Sequence, residues 1–304
     1  MRRRDPPMQG VVTLAGEGTR MLPWTRGLRK EFLPLFDAAI DGAPVLKPVA
    51  HLVVETLVRA GADRLTLVVQ PKDRSFVRSY FTVDPSFLDR HAHHEERLTE
   101  TRRLYTTIRG LTVQFVDQRR PRGFGDAVLR ARASVGTDPF LLHAGDAVLL
   151  ERERGFLLSA MADLIEREAL DAVLLVRRVA DPRRYGVVEG TLGVPTRGLR
   201  RLDVTTMVEK PAHPRTHWAA TAVYAFRPTI FGALERYRAR ARPQELELTD
   251  GIRTMIENGG RVAALVLDRA FGEWRSVGSP ESFARALRAT QRLAERGRGP
   301  RARN

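Results

Sequence analysis

Apolar positions along this chain fall into two periods, one of strands and one of helices. Gln9–Leu14 is a continuous, β-branched apolar run that stops at a glycine turn, which is the pattern of a buried strand. Pro48–Ala60 places Val49, Leu52, Val53, Thr56 and Leu57 on one helical face and closes at Gly61. Arg64–Val69 is a second buried run, so the chain opens strand, helix, strand, the beginning of a parallel, doubly wound sheet. Further helices are expected over Asp73–Phe81, Pro85–Tyr105, Asp126–Ala133 and Gly155–Glu168, with strands at Thr112–Asp117, Phe140–His143 and Asp171–Val179. From about residue 184 short strands dominate: Tyr185–Glu189, Leu199–Leu202, Thr206–Glu209 and Ala219–Phe226. The C-terminal pattern is Thr229–Tyr237, Thr249–Asn258 and Glu281–Arg296 as helices, with Val262–Leu267 as a strand. No repeat or linker interrupts this series, which predicts one unit over residues 9–290 with basic tails at 1–8 and 291–304.

Composition changes this picture in three places. No apolar stretch approaches the roughly 20 residues of a membrane helix, and none precedes the first strand, so no membrane partner and a cytoplasmic setting are expected. With no cysteine among the 304 residues, thiolate metal sites and cysteine nucleophiles are excluded. The formal net charge of +15 raises the question of nucleic acid, but the basic residues are dispersed except at the two ends, and no aromatic-interleaved basic stretch is present. Specific nucleic-acid binding is therefore not expected. Of the 51 cationic side chains only Lys30, Lys47, Lys72 and Lys210 are lysines, so a lysine here marks a place where a compact point charge differs from a planar guanidinium.

Candidate chemistry gathers in a few motifs. The first strand feeds Ala15-Gly16-Glu17-Gly18-Thr19-Arg20, where Gly16 and Gly18 lack Cβ and let backbone N–H groups approach an anion, with Arg20 and Lys30 to neutralise it. Neither the P-loop nor the dinucleotide fingerprint is present, and alone the turn serves equally as a structural turn. Asp146 ends an apolar strand after Ala144-Gly145, either as the start of a loop or as a carboxylate for Mg2+ at the carboxyl edge of a sheet. In Val208-Glu209-Lys210-Pro211 the proline halts a strand, leaving a glutamate for sugar hydroxyls and a lysine for an anion, near Tyr185-Gly186. His91, His93 and His94 lie in a charged helical segment and read as a solvated face, and Trp24, Trp218 and Trp274 as packing residues.

Taken in order, these motifs resemble the nucleoside-diphosphate-sugar pyrophosphorylases, with prokaryotic UTP–glucose-1-phosphate uridylyltransferases the nearest branch. Gly16-Glu-Gly-Thr-Arg-Met-Leu-Pro-Trp-Thr25, Lys30–Pro34, Gln118 with Gly123-Phe-Gly-Asp-Ala127, Tyr185-Gly-Val-Val, Val208-Glu-Lys-Pro and Glu247-Leu-Thr-Asp250 carry the resemblance. It implies a Rossmann-like doubly wound mixed sheet with a β-rich and helical C-terminal portion. It further implies Mg2+-dependent transfer of a uridylyl group from UTP to glucose 1-phosphate, in a homo-oligomer, dimer or tetramer. Ala15, Gly16, Gly18, Thr19, Gln118 and Gly123 would bind the nucleotide, with Arg20 and Lys30 on the triphosphate and Asp146 on the metal. Gly186, Glu209 and Thr221 would read the sugar and Lys210 its phosphate. Another sugar phosphate or NTP, or a non-catalytic regulatory relative, is the alternative. Three positions depart from the family pattern: Ser276 where an aspartate often gives a second metal ligand, Ala222 for a glycine, and His217-Trp218 near an asparagine. Residues Ala38–Pro44 also intervene before Lys47, as a surface hairpin would.

Overall fold

The computed structural model describes residues 8–296. The chain runs through β1 (Met8–Thr13), a hairpin of β2 (Pro34–Ala38) and β3 (Pro44–Pro48), α1 (Val49–Arg59), β4 (Ala62–Val69), α2 (Arg74–Tyr80), α3 (Pro85–Arg90), α4 (Glu95–Arg109) and β5 (Thr112–Asp117). It continues with α5 (Phe124–Arg130), α6 (Arg132–Val135), β6 (Phe140–Ala144), β7 (Ala147–Glu151), α7 (Phe156–Arg167), β8 (Ala172–Arg178), β9 (Gly186–Leu192) and β10 (Arg201–Glu209). It closes with β11 (Trp218–Phe226), α8 (Thr229–Ala241), α9 (Leu248–Glu257), β12 (Val262–Val266), β13 (Gly272–Ser276) and α10 (Pro280–Arg296).

Nine strands form one mixed sheet in the order β5-β4-β1-β6-β11-β8-β12-β10-β9. The expected β1–α1–β4 unit is present, with β1 parallel to β4 on one side and to β6 on the other. β11 runs antiparallel to both of its long neighbours, β6 and β8, which inverts the second half of the sheet. Period-two alternation in β1 sends Val12 and Leu14 into one core and Val11 and Ala15 into the other. The first core takes Leu57 of α1 and Met161 of α7; the second takes Val128 of α5, Phe231 of α8 and Ile252 of α9. Helices therefore cover both faces, and the carboxyl ends of the parallel strands open at one edge, where ligands of α/β sheets sit.

Several expectations change. The helix expected over Pro85–Tyr105 is two: α3 stops at His91, whose Nδ1 bonds the Phe87 carbonyl at 2.8 Å, a local contact that competes with the helical ladder. The strands expected at Leu199–Leu202 and Thr206–Glu209 are one, β10, irregular in register between Val204 and Thr206. Ala147–Glu151 and Gly272–Ser276 pair as an antiparallel ribbon, with Ser276 opposite Ala147. Residues 291–296 continue α10 as a helix, because Ala286, Thr290 and Ala294 form one buried stripe and the Phe36 amide of β2 donates to Thr290 Oγ1. The remaining tail positions, 1–7 and 297–304, lie outside the described residues.

Lys47 has a structural role. Its side chain is 3% exposed, and Nζ lies 2.9 Å from Asp37, 3.0 Å from Glu55 and 2.9 Å from Glu100. Arg154 pairs with Asp37 and Glu55 from the far side, so the hairpin, α1, α4 and the loop before α7 share one buried ionic knot. Burial alone would raise the Glu55 carboxyl, but His51 and Lys47 outweigh it and bring it from 4.5 down to about 2. A depressed carboxyl stabilises the fold above its unfolded range and loses that contribution as pH falls from 4.5 towards about 2. Lys47→Met leaves three carboxylates without their ammonium, and is expected to lower unfolding free energy by about 3–5 kcal/mol in a denaturant titration at neutral pH.

Candidate active site

A cavity of about 440 Å3 opens at the carboxyl edge of β1 and β6, and Ala15, Gly16, Gly18, Thr19, Arg20, Lys30, Gln118, Gly123 and Asp146 all line it. The loop after β1 is held from behind. Arg29, buried, donates to the carbonyls of Leu14 (2.7 Å) and Gly16 (2.5 Å), Gln70 to that of Ala15 (2.7 Å), and Thr25 to that of Gly18 (2.9 Å). With its carbonyls bound, the loop keeps its amides: among the described residues those of Ala15 to Gly18 donate to no backbone carbonyl. Backbone donors fixed in this way suit an anion. Arg29 went unmarked in the sequence; its position beside Lys30 was the available signal.

Lys30 Nζ and Asp146 Oδ2 stand 2.5 Å apart although 116 residues separate them. Burial alone would lower the Lys30 ammonium, but the Asp146 and Glu31 carboxylates hold it above the ordinary lysine value. Lys30 and Arg20 in turn outweigh burial at Asp146 and hold its carboxyl below the usual range, so both groups stay charged. Glu31, also lining the cavity, is pushed up to about 7 by burial. Ser276, Arg20 and Asp146 all border Gly278, where an added Cβ would stand 3.2 Å from Ser276 Oγ, 3.3 Å from Arg20 Nη2 and 3.4 Å from Asp146 Oδ2. The β7–β13 ribbon thus carries Ser276 to the one aspartate in the cavity lining.

The opposite wall is the Gln118 loop. Gln118 Nε2, buried, donates to Gly123 O (3.2 Å) and Asp126 Oδ2 (2.8 Å), leaving its amide oxygen as an acceptor. Gly123 has φ +97°, and a Cβ there would fall 2.5 Å from the Leu246 carbonyl. This packing locks the loop onto residues 245–247, whose Glu245 and Glu247 also line the cavity. Gly123→Ala is expected to cost about 2–3 kcal/mol of stability, read as a lower thermal midpoint.

A second cluster adjoins this cavity without lining it. Gly186 and Glu209 are register partners of β9 and β10, Thr249 Oγ1 donates to Glu209 Oε2 at 2.7 Å, and Lys210 Nζ lies 3.0 Å from Glu209 Oε1. The hydrogen bond to Glu209 raises the Lys210 ammonium, and Glu247 and Glu245 of the cavity lining add to it. Thr221 departs from expectation. It is fully buried and donates to the Leu175 carbonyl at 2.8 Å, because β11 is irregular there; its neighbour Ala222, at φ +59°, lines the cavity instead. Of the tryptophans, Trp218 and Trp274 pack against the two cores as expected, each beneath a guanidinium, that of Arg200 or Arg177, whereas Trp24 is exposed.

A mixed α/β sheet whose strand edge holds free amides, the cations Arg20 and Lys30 and the aspartate Asp146 defines a protein built to handle phosphate groups. The nucleotidyl transferase family model matches residues 9–292, and the chain belongs to that family. It is 32% identical over 252 residues to the UTP–glucose-1-phosphate uridylyltransferase of Streptococcus pneumoniae, spanning 81% of this chain and 79% of that protein. Among solved structures it resembles an apo UDP-glucose pyrophosphorylase, with a TM-score of 0.81 and 24% identity over 95% of this chain and 99% of that one. It also resembles the UTP-bound enzyme of Acinetobacter baumannii, with a TM-score of 0.77 and 25% identity over 93% of both chains.

Proposed function

We propose that this chain transfers a uridylyl group from UTP to glucose 1-phosphate, giving UDP-glucose and pyrophosphate. The observation that carries the reading is the pair of neighbouring cationic centres: Lys30 with Arg20 in the cavity, and Lys210 with Glu209 in the cluster that adjoins it. One polyanion needs one such centre; a transfer between two phosphates needs both. The uridylyltransferase name of the pneumococcal relative points to the same reaction.

In this reading Ala15, Gly16, Gln118 and Gly123 hold the base, and the amides of Gly18 and Thr19 with Arg20 and Lys30 hold the triphosphate. Gly186 and Glu209 receive the sugar, Thr249 orients the Glu209 carboxylate, and Lys210 binds the sugar's phosphate. A phosphate oxygen of the sugar phosphate forms a bond to the α-phosphorus as the bond to the β-phosphate oxygen breaks in line, and pyrophosphate leaves. No residue becomes covalently attached, so the protein contributes positioning and charge neutralisation.

The donor set fits a Mg2+ shared with substrate. Among the described residues no group of three or more His, Asp or Glu forms a cage, whereas Asp146 is held ionised. Magnesium takes one or two carboxylates and completes its octahedron with phosphates and water. Asp146 would hold it, and the ion would offset charge on the phosphates. No helix among the described residues is long and apolar enough to cross a membrane. The family resemblance further supports a cytoplasmic homo-oligomer, dimer or tetramer, which light scattering would test.

The deciding experiment crosses UTP, dTTP, CTP and ATP with glucose 1-phosphate and other hexose 1-phosphates, with products identified by mass spectrometry. UDP-glucose formation is expected. UDP-glucose binding with no turnover of any pair would make the chain a regulatory relative.

A further inference from the structure

Either end of the Gln118 amide has the shape to face the cavity, and its neighbours decide which one does. The backbone of Gln118 is fixed just past β5, where its N–H donates to the Val69 carbonyl at 2.8 Å. The side chain, on a residue 2% exposed, lines the cavity. Its Nε2 donates to the Gly123 carbonyl at 3.2 Å and to Asp126 Oδ2 at 2.8 Å. A carbonyl and a carboxylate paired with arginine only accept, so both amide protons are spent on them. Turning the amide over would set its oxygen against two others. Asp126 is itself buried and held from one turn further along α5, where Arg130 donates to its other oxygen at 2.9 Å. Oδ1 thus answers Arg130 and Oδ2 answers Gln118.

What remains of Gln118 for a ligand is Oε1, an acceptor. The other wall supplies donors, the amides of Ala15 and Gly16, which no backbone carbonyl claims. An acceptor with donors to either side fits the edge of uracil or thymine, where a protonated N3 stands between two carbonyl oxygens. Cytosine has a bare N3 lone pair at that place, which would meet the lone pairs of Oε1. A site whose buried polar groups are left unpaired by the wrong ligand discriminates strongly against it. On the uridylyl-transfer reading above, we propose that Asp126 is a positioning residue: by fixing the Gln118 amide it selects a pyrimidine whose N3 carries a proton and rejects cytosine. Asp126 is not part of the cavity lining and acts through Gln118.

The test measures kcat/KM for UTP, dTTP and CTP at saturating glucose 1-phosphate, together with calorimetric binding of the same three nucleotides. The wild type is expected to favour UTP over CTP by about a hundredfold or more. Asp126→Asn keeps the shape but offers a single acceptor to two donors. Where Arg130 takes it, the new amide nitrogen faces Gln118 Nε2, and Gln118 no longer holds one end towards the base. The UTP-to-CTP ratio should then fall by about tenfold or more, while the UTP-to-dTTP ratio, whose two bases share the N3 proton, keeps its wild-type value. Arg130→Met added to Asp126→Asn frees the new carbonyl for Gln118 and should restore most of the UTP preference. Asp126→Ala, which leaves Gly123 as the remaining acceptor, should show the same loss and serves if Asp126→Asn does not fold. Equal use of CTP and UTP by the wild type, or equal weakening of all three nucleotides in a folded Asp126 variant, overturns the assignment while UDP-glucose formation stands. Tighter binding of UTP than of CTP that Asp126→Asn erases, without turnover of any pair, would retain the assignment and overturn the transferase. Binding of none of the nucleotides would overturn both.

Discussion

Lys30→Met is expected to lower kcat/KM for UTP by about a thousandfold while leaving the far-UV circular dichroism unchanged. Two losses combine. The ammonium that reaches into the cavity beside Gly16 disappears, and Asp146, 2.5 Å from it in the wild type, keeps its negative charge with Arg20 as its remaining cation. Removing one preorganised charge from a water-poor site costs on the order of 10²–10³ in rate, and a carboxylate left facing an incoming triphosphate adds repulsion. Lys30→Arg should not restore activity, because a planar fork cannot occupy the position of Nζ between Gly16 and Asp146. Steady-state kinetics with UTP varied separates the outcomes. Wild-type kcat/KM in a folded Lys30→Met protein would remove Lys30 from the site.

Lys210→Ala is the counterpart on the sugar side. Its Nζ lies 3.0 Å from Glu209, yet the side chain is 57% exposed, so the ammonium is free to reach a phosphate. The residue sits at φ +41°, where alanine is no more strained than lysine, and its amide keeps the bond to Tyr185. KM for the sugar phosphate should rise by about a hundredfold, with KM for UTP unchanged. A change in KM for UTP alone would place Lys210 on the wrong substrate.

How far the sequence foretold this site depended on how local each feature is. The β1 run, its glycine turn and the Asp146 strand end are contiguous patterns and were legible as such. The helix stripe of α1 and the Ala38–Pro44 hairpin were legible for the same reason. The β7–β13 ribbon was not. Its strands are short, separated by 120 residues, and formed by pairing that no local periodicity reports. Ser276 could be aligned by resemblance, but its approach to Asp146 follows from that ribbon. Thr221 was misdirected because an irregularity in β11 turns its hydroxyl to Leu175 and presents Ala222 to the cavity. Arg29 was hidden by composition. In a chain with 51 cationic residues, almost all arginine, one that props up a loop looks like any other.

The central claim is that two phosphate centres act in one transfer, and the most direct measurement is pyrophosphate release with each substrate alone and with both. The account predicts release only when UTP, glucose 1-phosphate and a divalent cation are present together, in equimolar amounts with UDP-glucose. Pyrophosphate released from UTP without the sugar phosphate, or none with both substrates, would contradict it.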